Sequence, residues 1–473
     1  MNAVPTSDLL QRFIAIVGGA NAVAPPADLE RYVTERRAAF VGASPLVLKP
    51  GTVDEVSAIL RLANETRTAI VPQGGNTGLV GGAVPDASGA QIVLSMERLN
   101  AIRSVDPEGD SMIVEAGVTL TAAKAAALNA GRMFALSIAP ADRCQIGGNI
   151  STNAGGTAVL TYGSTRDLVL GLEVVLANGD VLGGLRALRK DNSGYDLKQL
   201  FIGAEGTLGV ITAAVLKLLP IPRGKAMAMV GLASPTEALA LYQVGRRLAR
   251  FGLTSCELIP RIALDFGLRH LPGAADPLDD PHPWYVLLEV SSGRSVADAR
   301  ADLDAILLEA LASNVSRDAR IAANDTEAEA LWRLRYSISD VQRPEGVSLK
   351  HDVAVPINDV PAFIAAGTAE VLRIAPDARP VPFGHIGDGN IHFNVSQPEG
   401  GDPKAFRAAA PEITAAIHAL VARLGGSIAA EHGIGQMKRS LMPSVRSPVE
   451  LSLMRTLKTA LDPNGILNPG KVL

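Results

Sequence analysis

Two short segments hold most of the chain's chemistry. Gly384-His385-Ile386-Gly387-Asp388-Gly389-Asn390-Ile391-His392-Phe393-Asn394 and Ala430-Glu431-His432-Gly433 carry three of the seven histidines, two carboxylates and two amides. Histidine and carboxylate are the common ligands of zinc-like cations, and a further histidine is the common proton acceptor near neutral pH. Asn390 to Val395 alternates polar and apolar. As a strand it puts His392 and Asn394 on one face and Ile391, Phe393 and Val395 on the other, against a core. Gly387-Asp388-Gly389 is a natural turn that folds His385 back beside His392. Glu431 and His432 lie far off in sequence and join through tertiary packing. One isolated histidine is more often a hydrogen-bonded core residue, with Asp388 only shaping its turn. His385, His392 and Glu431 with His432 beside them favour a metal centre.

Such a centre needs a scaffold, and the composition supplies one. At 473 residues the chain has room for two or three domains, and 47% hydrophobic content supports a large core. A net charge of −4 and 4% aromatics leave no electrostatic or stacking footprint for nucleic acid. Cys144 and Cys256 are the only cysteines, too few for a disulfide framework or a thiolate metal site, and they point to a reducing cytoplasm. No apolar run reaches the roughly eighteen residues of a membrane span. Phe13 to Ala24 is faintly apolar, yet Asp8 precedes it. An amphipathic helix ending at Gly18-Gly19 is therefore expected rather than a signal peptide.

Periodicity predicts the positioning elements. Residues 1–40 read as short helices punctuated by Gly18-Gly19 and Pro25-Pro26. Leu46 to Lys49 predicts a strand, Thr52-Val53-Asp54-Glu55 a capping box opening a helix to about Asn64, and Thr68 to Val71 a second strand. Strand-like runs recur at Ile92–Leu94, Met112–Glu115, Leu172–Leu176, Val181–Leu182 and Leu208–Val215, with Asn178-Gly179 as a hairpin turn. Pro220-Ile221-Pro222 marks a domain boundary. Beyond it, helix is predicted over Thr236–Arg250, Ala297–Ala312 and a last region of roughly 403–460, with strand over Tyr285–Val290.

Two glycine clusters stand apart. Pro72-Gln73-Gly74-Gly75-Asn76-Thr77-Gly78-Leu79-Val80-Gly81-Gly82 presents bare backbone N–H groups that a pyrophosphate can approach. Ile146-Gly147-Gly148-Asn149-Ile150-Ser151-Thr152-Asn153-Ala154-Gly155-Gly156 repeats the theme with amide and hydroxyl donors. Neither has the spacing of a dinucleotide fingerprint or a Walker loop. Two such clusters in strand-rich surroundings favour a nucleotide-type ligand over plain turns.

The first cluster resembles the pyrophosphate loop of the flavoprotein family typified by vanillyl-alcohol oxidase and the FAD-linked D-2-hydroxyacid dehydrogenases. Tyr162-Gly163-Ser164, Lys190-Asp191-Asn192-Ser193-Gly194-Tyr195-Asp196-Leu197 and Phe201-Ile202-Gly203-Ala204-Glu205-Gly206-Thr207-Leu208-Gly209 support the resemblance, which runs from about residue 42 to the C-terminus. It implies an α+β fold: a two-subdomain FAD-binding domain of the vanillyl-alcohol oxidase type, an α+β substrate domain and a small helical C-terminal region. The expected division is a helical segment over 1–40, the FAD-binding domain over 41–220, the substrate domain over 221–402, and a helical region completing the active site over 403–473. Expected FAD contacts are Pro72, Gly74, Gly75, Asn76, Thr77, Gly78 and Leu79 in the first cluster. The second cluster adds Gly147, Gly148, Asn149, Thr152, Asn153, Gly155 and Gly156. Tyr162, Gly163, Glu205, Gly206, Gly209 and Ile211 follow, with Asn468 in the tail Asp462–Lys471. Covalent members tether the flavin through a histidine in the first glycine loop. Asn76 stands at the comparable position, so FAD is expected to be bound non-covalently.

Similarity to the D-2-hydroxyglutarate and D-lactate dehydrogenase branch implies that His385, His392 and Glu431 ligate a divalent metal, usually zinc. By the same similarity His432 is the general base and Asn394 contacts substrate. Trp332 to Ser339 predicts a helix with Arg335 and Ser339 one turn apart on one face, and Lys350 begins a strand. Basic residues are by default solvated. The branch, however, holds the substrate carboxylate with an arginine, a hydroxyl and a lysine, and Arg335, Ser339 and Lys350 match, with serine in place of threonine. The expected reaction oxidises a D-2-hydroxy acid, first of all D-2-hydroxyglutarate, to the 2-oxo acid. The cation lowers the hydroxyl pKa, His432 takes the proton, and a hydride passes to flavin N5. D-lactate or D-malate dehydrogenase, a glycolate-oxidase-type subunit and a non-catalytic flavin-binding protein are the competing readings. The expected electron acceptor is an electron-transfer flavoprotein or a quinone, the expected location is the cytoplasm, and a homodimer is left open.

Overall fold

The computed structural model describes residues 4–473. They form two compact units. The first runs to Gly156 and adds Gly163–Ile221 and Glu431–Leu473; the second comprises Thr157–Tyr162 and Pro222–Ala430. The crossing between Ile221 and Pro222 falls inside Pro220-Ile221-Pro222, where missing N–H donors end strand pairing. No boundary falls at 402/403. Helix Pro403–Arg423 belongs to the second unit, and the chain crosses back only after Ala430. The helical region expected over roughly 403–460 consists of separate helices, with an irregular stretch between the long ones. Residues 424–438 are irregular, with Gly425, Gly433 and Gly435 at positive φ, before helix Pro448–Leu461.

In the first unit, helix Ser7–Val17 ends at Gly18 (φ +78°), as a glycine stop requires. Phe13 and Val17 enter one core with Leu46, Ile59, Ile92 and Leu467, so the N-terminal residues are part of this unit and no separate segment. Thr52 caps helix Val53–Thr66 by accepting from the Glu55 N–H at 3.1 Å. Glu55 sends its own carboxylate to the Gly51 N–H at 2.7 Å, so only half of the expected capping box forms. A four-stranded sheet runs in the order Ala22–Val23, Val47–Leu48, Gln91–Ser95, Ala69–Gln73. The outer side of Ala69–Gln73 is closed by a parallel bridge between Ile70 and Leu467, with the Ile70 N–H donating to Ile466 O and the Asn468 N–H to Ile70 O, both at 2.8 Å. A second sheet of five antiparallel strands runs Ile102–Asp106, Ser111–Glu115, Val210–Lys217, Val169–Val175, Val181–Gly184. Its last hairpin turns at Asn178-Gly179, with Gly179 at φ +86°.

The second unit is built on a seven-stranded antiparallel sheet. Its order is Asp318–Ile321, Gly224–Leu232, Trp284–Ser292, Leu253–Pro260, Arg379–His385, Asn390–Ser396, Ser348–Ala354. Residues directly opposite in an antiparallel pair share a face. The register Glu257↔His385↔Asn390, Phe383↔His392↔Asp352 and Val381↔Asn394↔Lys350 therefore gathers these side chains on one face. Helices Arg261–His270 and Asp325–Val341 pack there through Phe266, Leu334 and Ile338 against Val381 and Phe383. The other face presents Ile391, Phe393 and Val395, each 0% exposed, to helices Val360–Ile374 and Pro403–Arg423. Gly367 admits the Phe393 ring, which a Cβ would meet at 2.7 Å. Each such buried ring contributes about 1.5–3 kcal/mol, so the apolar face anchors the strand while its polar face stays available for chemistry. His351 lies among these apolar residues, with Nδ1 2.7 Å from Phe393 O and Nε2 3.0 Å from Thr414 Oγ1, and serves packing.

Candidate active site

Glu257 is 1% exposed in the middle of the apolar strand Leu253–Pro260. Its Oε1 is 2.8 Å from His385 Nδ1, and its Oε2 accepts from Arg335 Nε at 2.8 Å. Arg335 Nη2 stands 2.6 Å from the same Oε2, close enough for an ion pair although its hydrogens are poorly aligned for a bond. Burial alone would push the Glu257 carboxyl up; the charges of His385 and Arg335 and their hydrogen bonds outweigh it and hold the group below its ordinary value. Glu257 thus faces His385 as a carboxylate, which only accepts, so the proton between them sits on His385 Nδ1. A metal-ligating histidine is commonly oriented by a carboxylate placed behind it in this way.

His385 and His392 lie side by side, ring centroids 5.7 Å apart. His392 Nδ1 is 3.6 Å from Oδ1 of Asp352, which is 2% exposed and also accepts from Asn390 Nδ2 at 3.1 Å. Asp388 receives the Asn390 N–H at 3.0 Å and so shapes the hairpin turn. Lys350 Nζ donates to Ser339 O at 2.9 Å and to Ser339 Oγ at 2.8 Å. Asn394 Nδ2 donates to Gln342 Oε1 at 3.1 Å, and Ser348 Oγ donates to the same oxygen at 3.0 Å. Of the expected carboxylate anchors, Ser339 and Lys350 are bonded to each other, whereas Arg335, one turn earlier on its helix, is committed to Glu257. Glu257, Asp352 and Gln342 were not anticipated. A lone carboxylate inside Cys256-Glu257-Leu258-Ile259 is the signal that points to the first, because buried charge persists only when paired.

In the first unit the glycine segments differ from each other. After strand Ala69–Gln73, Gly75 passes so close to Arg143 O that a Cβ would stand 1.9 Å away. Asn76 sits at φ +51° and spends its Nδ2 on Arg31 O (3.0 Å) and Thr34 O (2.9 Å). Beside Gly78 and Gly148 there is nothing within 4 Å of where a Cβ would be. Thr77 and Leu79 are half-buried. The second segment is a short helix, Ile146–Ser151, in which Gly147 packs on Ala116. Thr152 Oγ1 closes this helix on Gly148 O, while Asn153 Oδ1 accepts from Ser164 Oγ and the Arg166 N–H. Gly163 (φ +79°) packs on Asp167, Gly206 (φ +70°) on Pro72 and Gly209 on Val174, while Ile211 pairs with Val174. Tyr162 belongs to the other unit, where burial pushes its phenol up.

Gln145 Oε1, Asn149 Nδ2 and Asn468 Oδ1 are buried without a hydrogen-bond partner. Lys471 is 3% exposed, and burial, only partly offset by Asp86, takes its ammonium down to about 8. Buried polar atoms without partners beside an open glycine backbone suit a polar ligand with phosphate and ring-edge groups, and FAD fits.

Ala430 donates its N–H to Asp352 O at 3.4 Å, and the next peptide bond enters the first unit. There Glu431 Oε1 accepts the Gly156 N–H at 2.7 Å, and His432 is half-buried. Glu205, expected at the cofactor, gives its carboxylate to the N–H groups of Ile434 (2.7 Å) and Gly435 (2.8 Å). Asn468 gives its Nδ2 to Gly82 O (2.9 Å) and Glu205 O (2.7 Å).

Residues 44–183 match the family described as FAD binding domain, and residues 221–472 the family described as FAD linked oxidases, C-terminal domain. Over 447 residues the chain is 39% identical to a D-2-hydroxyglutarate dehydrogenase of Xanthomonas citri pv. viticola, covering 94% of this chain and 93% of that one. The chain belongs to the FAD-linked D-2-hydroxyacid dehydrogenases. Another member of these dehydrogenases, the mitochondrial D-2-hydroxyglutarate dehydrogenase of Arabidopsis thaliana, is 36% identical over 461 residues, 98% of this chain and 80% of its own. This dehydrogenase is therefore an FAD-dependent oxidoreductase acting on CH–OH groups. Its α+β fold is of the vanillyl-alcohol oxidase type: p-cresol methylhydroxylase superposes with a TM-score of 0.77 at 18% identity, over 99% of this chain and 98% of the other. Among the described residues no helix is long and apolar enough to cross a membrane.

Proposed function

We propose that this dehydrogenase oxidises D-2-hydroxyglutarate to its 2-oxo acid. The observation that carries the reading is one sheet face bearing His385 beside His392 and Asn394, with Lys350 on the neighbouring strand bonded to Ser339 of helix Asp325–Val341. The relatives named for this substrate add support.

Bound FAD supplies the hydride acceptor, and a bound divalent cation, zinc first, supplies a Lewis acid. His385, oriented by Glu257, His392 and Glu431 are the proposed ligands of that cation, two imidazoles and a carboxylate being a catalytic zinc set. His432 removes the proton of the substrate hydroxyl. Lys350, Ser339 and Asn394 hold the acid's carboxylates, and Arg335 assists with the donors its pair with Glu257 does not use. FAD is held non-covalently, because the amide of Asn76 forms no flavin bond and is already spent on two carbonyls. The proposed electron acceptor is an electron-transfer flavoprotein or a quinone, and the proposed location of this dehydrogenase is the cytoplasm, a reducing compartment that suits the free, buried Cys144 and Cys256.

Anaerobic flavin bleaching against a panel of D- and L-2-hydroxy acids tests the reading. D-2-hydroxyglutarate is expected to bleach fastest, with the rate lost to a chelator and restored by zinc. Bleaching by none of these acids would overturn it.

A further inference from the structure

The turn that carries Glu431 and His432 is clamped by a carboxylate from a distant stretch of the same unit. Glu205 is 8% exposed, and its two oxygens receive the Ile434 and Gly435 N–H groups at 2.7 and 2.8 Å. A carboxylate gripping two amide donors away from water makes strong, directional bonds. The grip has no slack. Gly433 and Gly435 lie at φ +81° and +51°; a Cβ on Gly433 would stand 2.7 Å from Glu205 Oε1, and one on Gly435 2.2 Å from Val80 O. The next residues continue the attachment: Gln436 N and Met437 N donate to Val80 O at 2.9 and 3.2 Å, and Gln436 Nε2 reaches Gly81 O and Val84 O at 2.9 Å. Glu205 is itself pinned, with its N–H on Ser151 O at 2.8 Å and its carbonyl on Asn468 Nδ2 at 2.7 Å. With both oxygens engaged by backbone N–H groups, this side chain is ill suited to the cofactor contact its sequence position suggests.

We propose that Glu205 is a positioning residue for proton transfer: it fixes the Glu431-His432 turn in the geometry in which the hydroxyl proton is taken. The inference rests on His432 being the base, and it gives the Gly203-Ala204-Glu205-Gly206 segment a role in the chemistry beyond holding flavin.

The test is stopped-flow anaerobic flavin reduction by D-2-hydroxyglutarate in FAD-loaded Glu205→Gln. Glutamine has the same shape but accepts only one of the two amides. A displaced base of this kind costs about 100-fold in the rate constant at saturating substrate. The concentration for half-saturation should stay within about threefold of wild type, because Lys350, Ser339 and Asn394, the proposed anchors of the acid's carboxylates, are not part of the clamped turn. The reducible flavin per chain should also be unchanged. A purely structural role would instead lower the amplitude while the remaining flavin reduced at the wild-type rate, and that result overturns the proposal. Gly433→Ala presses on the same carboxylate from the other side and should reproduce the slow rate constant; it decides the matter if Glu205→Gln does not fold. His432→Gln separates the two levels. If it reduces flavin at the wild-type rate, the base assignment falls; if it is inactive while the other two variants keep the wild-type rate constant, the clamp alone falls.

Discussion

Glu257 faces His385 Nδ1 at 2.8 Å and at the same time neutralises Arg335 inside an apolar strand. One buried carboxylate thereby orients a proposed metal ligand and fixes the place of a proposed substrate anchor.

Glu257→Gln should weaken divalent metal binding about 10–100-fold, the usual cost of losing the carboxylate behind a ligating histidine. Titration of metal-free protein with zinc checks this, and an unchanged affinity would show that His385 needs no such partner.

Glu257→Ala leaves the Arg335 guanidinium buried and alone, which should cost about 3–5 kcal/mol in urea unfolding. Glu257→Leu combined with Arg335→Leu should recover most of that loss. Equal destabilisation by the single and double replacements would mean that packing, not uncompensated charge, is what the pair provides.

His432→Ala should slow flavin reduction by about 100-fold or more while FAD stays bound, the range for removing a general base. His385→Ala should lose the metal, read by elemental analysis of the purified protein. Full activity in metal-free wild type would remove the cation from the reaction.

Acid precipitation should release the yellow flavin into the supernatant, because Asn76 Nδ2 is bonded to Arg31 O and Thr34 O and provides no attachment. Colour remaining in the pellet would contradict non-covalent binding.

Lys471 should give the flavin-free protein a distinct pH dependence. Burial lowers its folded-state value from 10.5 to about 8. Between those values the unfolded chain binds a proton that the folded one does not, so this residue makes stability rise with pH across that window, with the full penalty below it. The advantage of Lys471→Met over wild type in urea unfolding should therefore shrink by roughly 3 kcal/mol between pH 7 and pH 10.5. A constant difference would show an ammonium that is not desolvated.

Much of the scaffold was legible because its signals are local. Thr52 capped the predicted helix, Asn178-Gly179 made the predicted hairpin, and Pro220-Ile221-Pro222 marked a unit boundary. Ile146–Ser151 escaped notice because two glycines cost a helix about 1 kcal/mol each, and only packing on Ala116 repays them. Glu257 was missed for a related reason: no periodicity distinguishes a buried strand from any other apolar run, and its partners Arg335 and His385 come from remote segments. The crossing after Ala430 leaves no compositional trace. The alternation at His392 and Asn394 was visible, since a period of two needs no knowledge of neighbours.

The bridge from Ile70 to Leu467 also governs how such a chain is made. Strand Ala69–Gln73 waits, with an open hydrogen-bonding edge, until the segment around Leu467 has left the ribosome. The first unit cannot finish before that segment emerges, however soon its other strands pair. Closing so long a loop is a slow step, and a nascent chain stalled before residue 466 would expose that edge to other chains. Chaperone occupancy on the emerging protein should accordingly persist until Ile466 and Asn468 dock on Ile70.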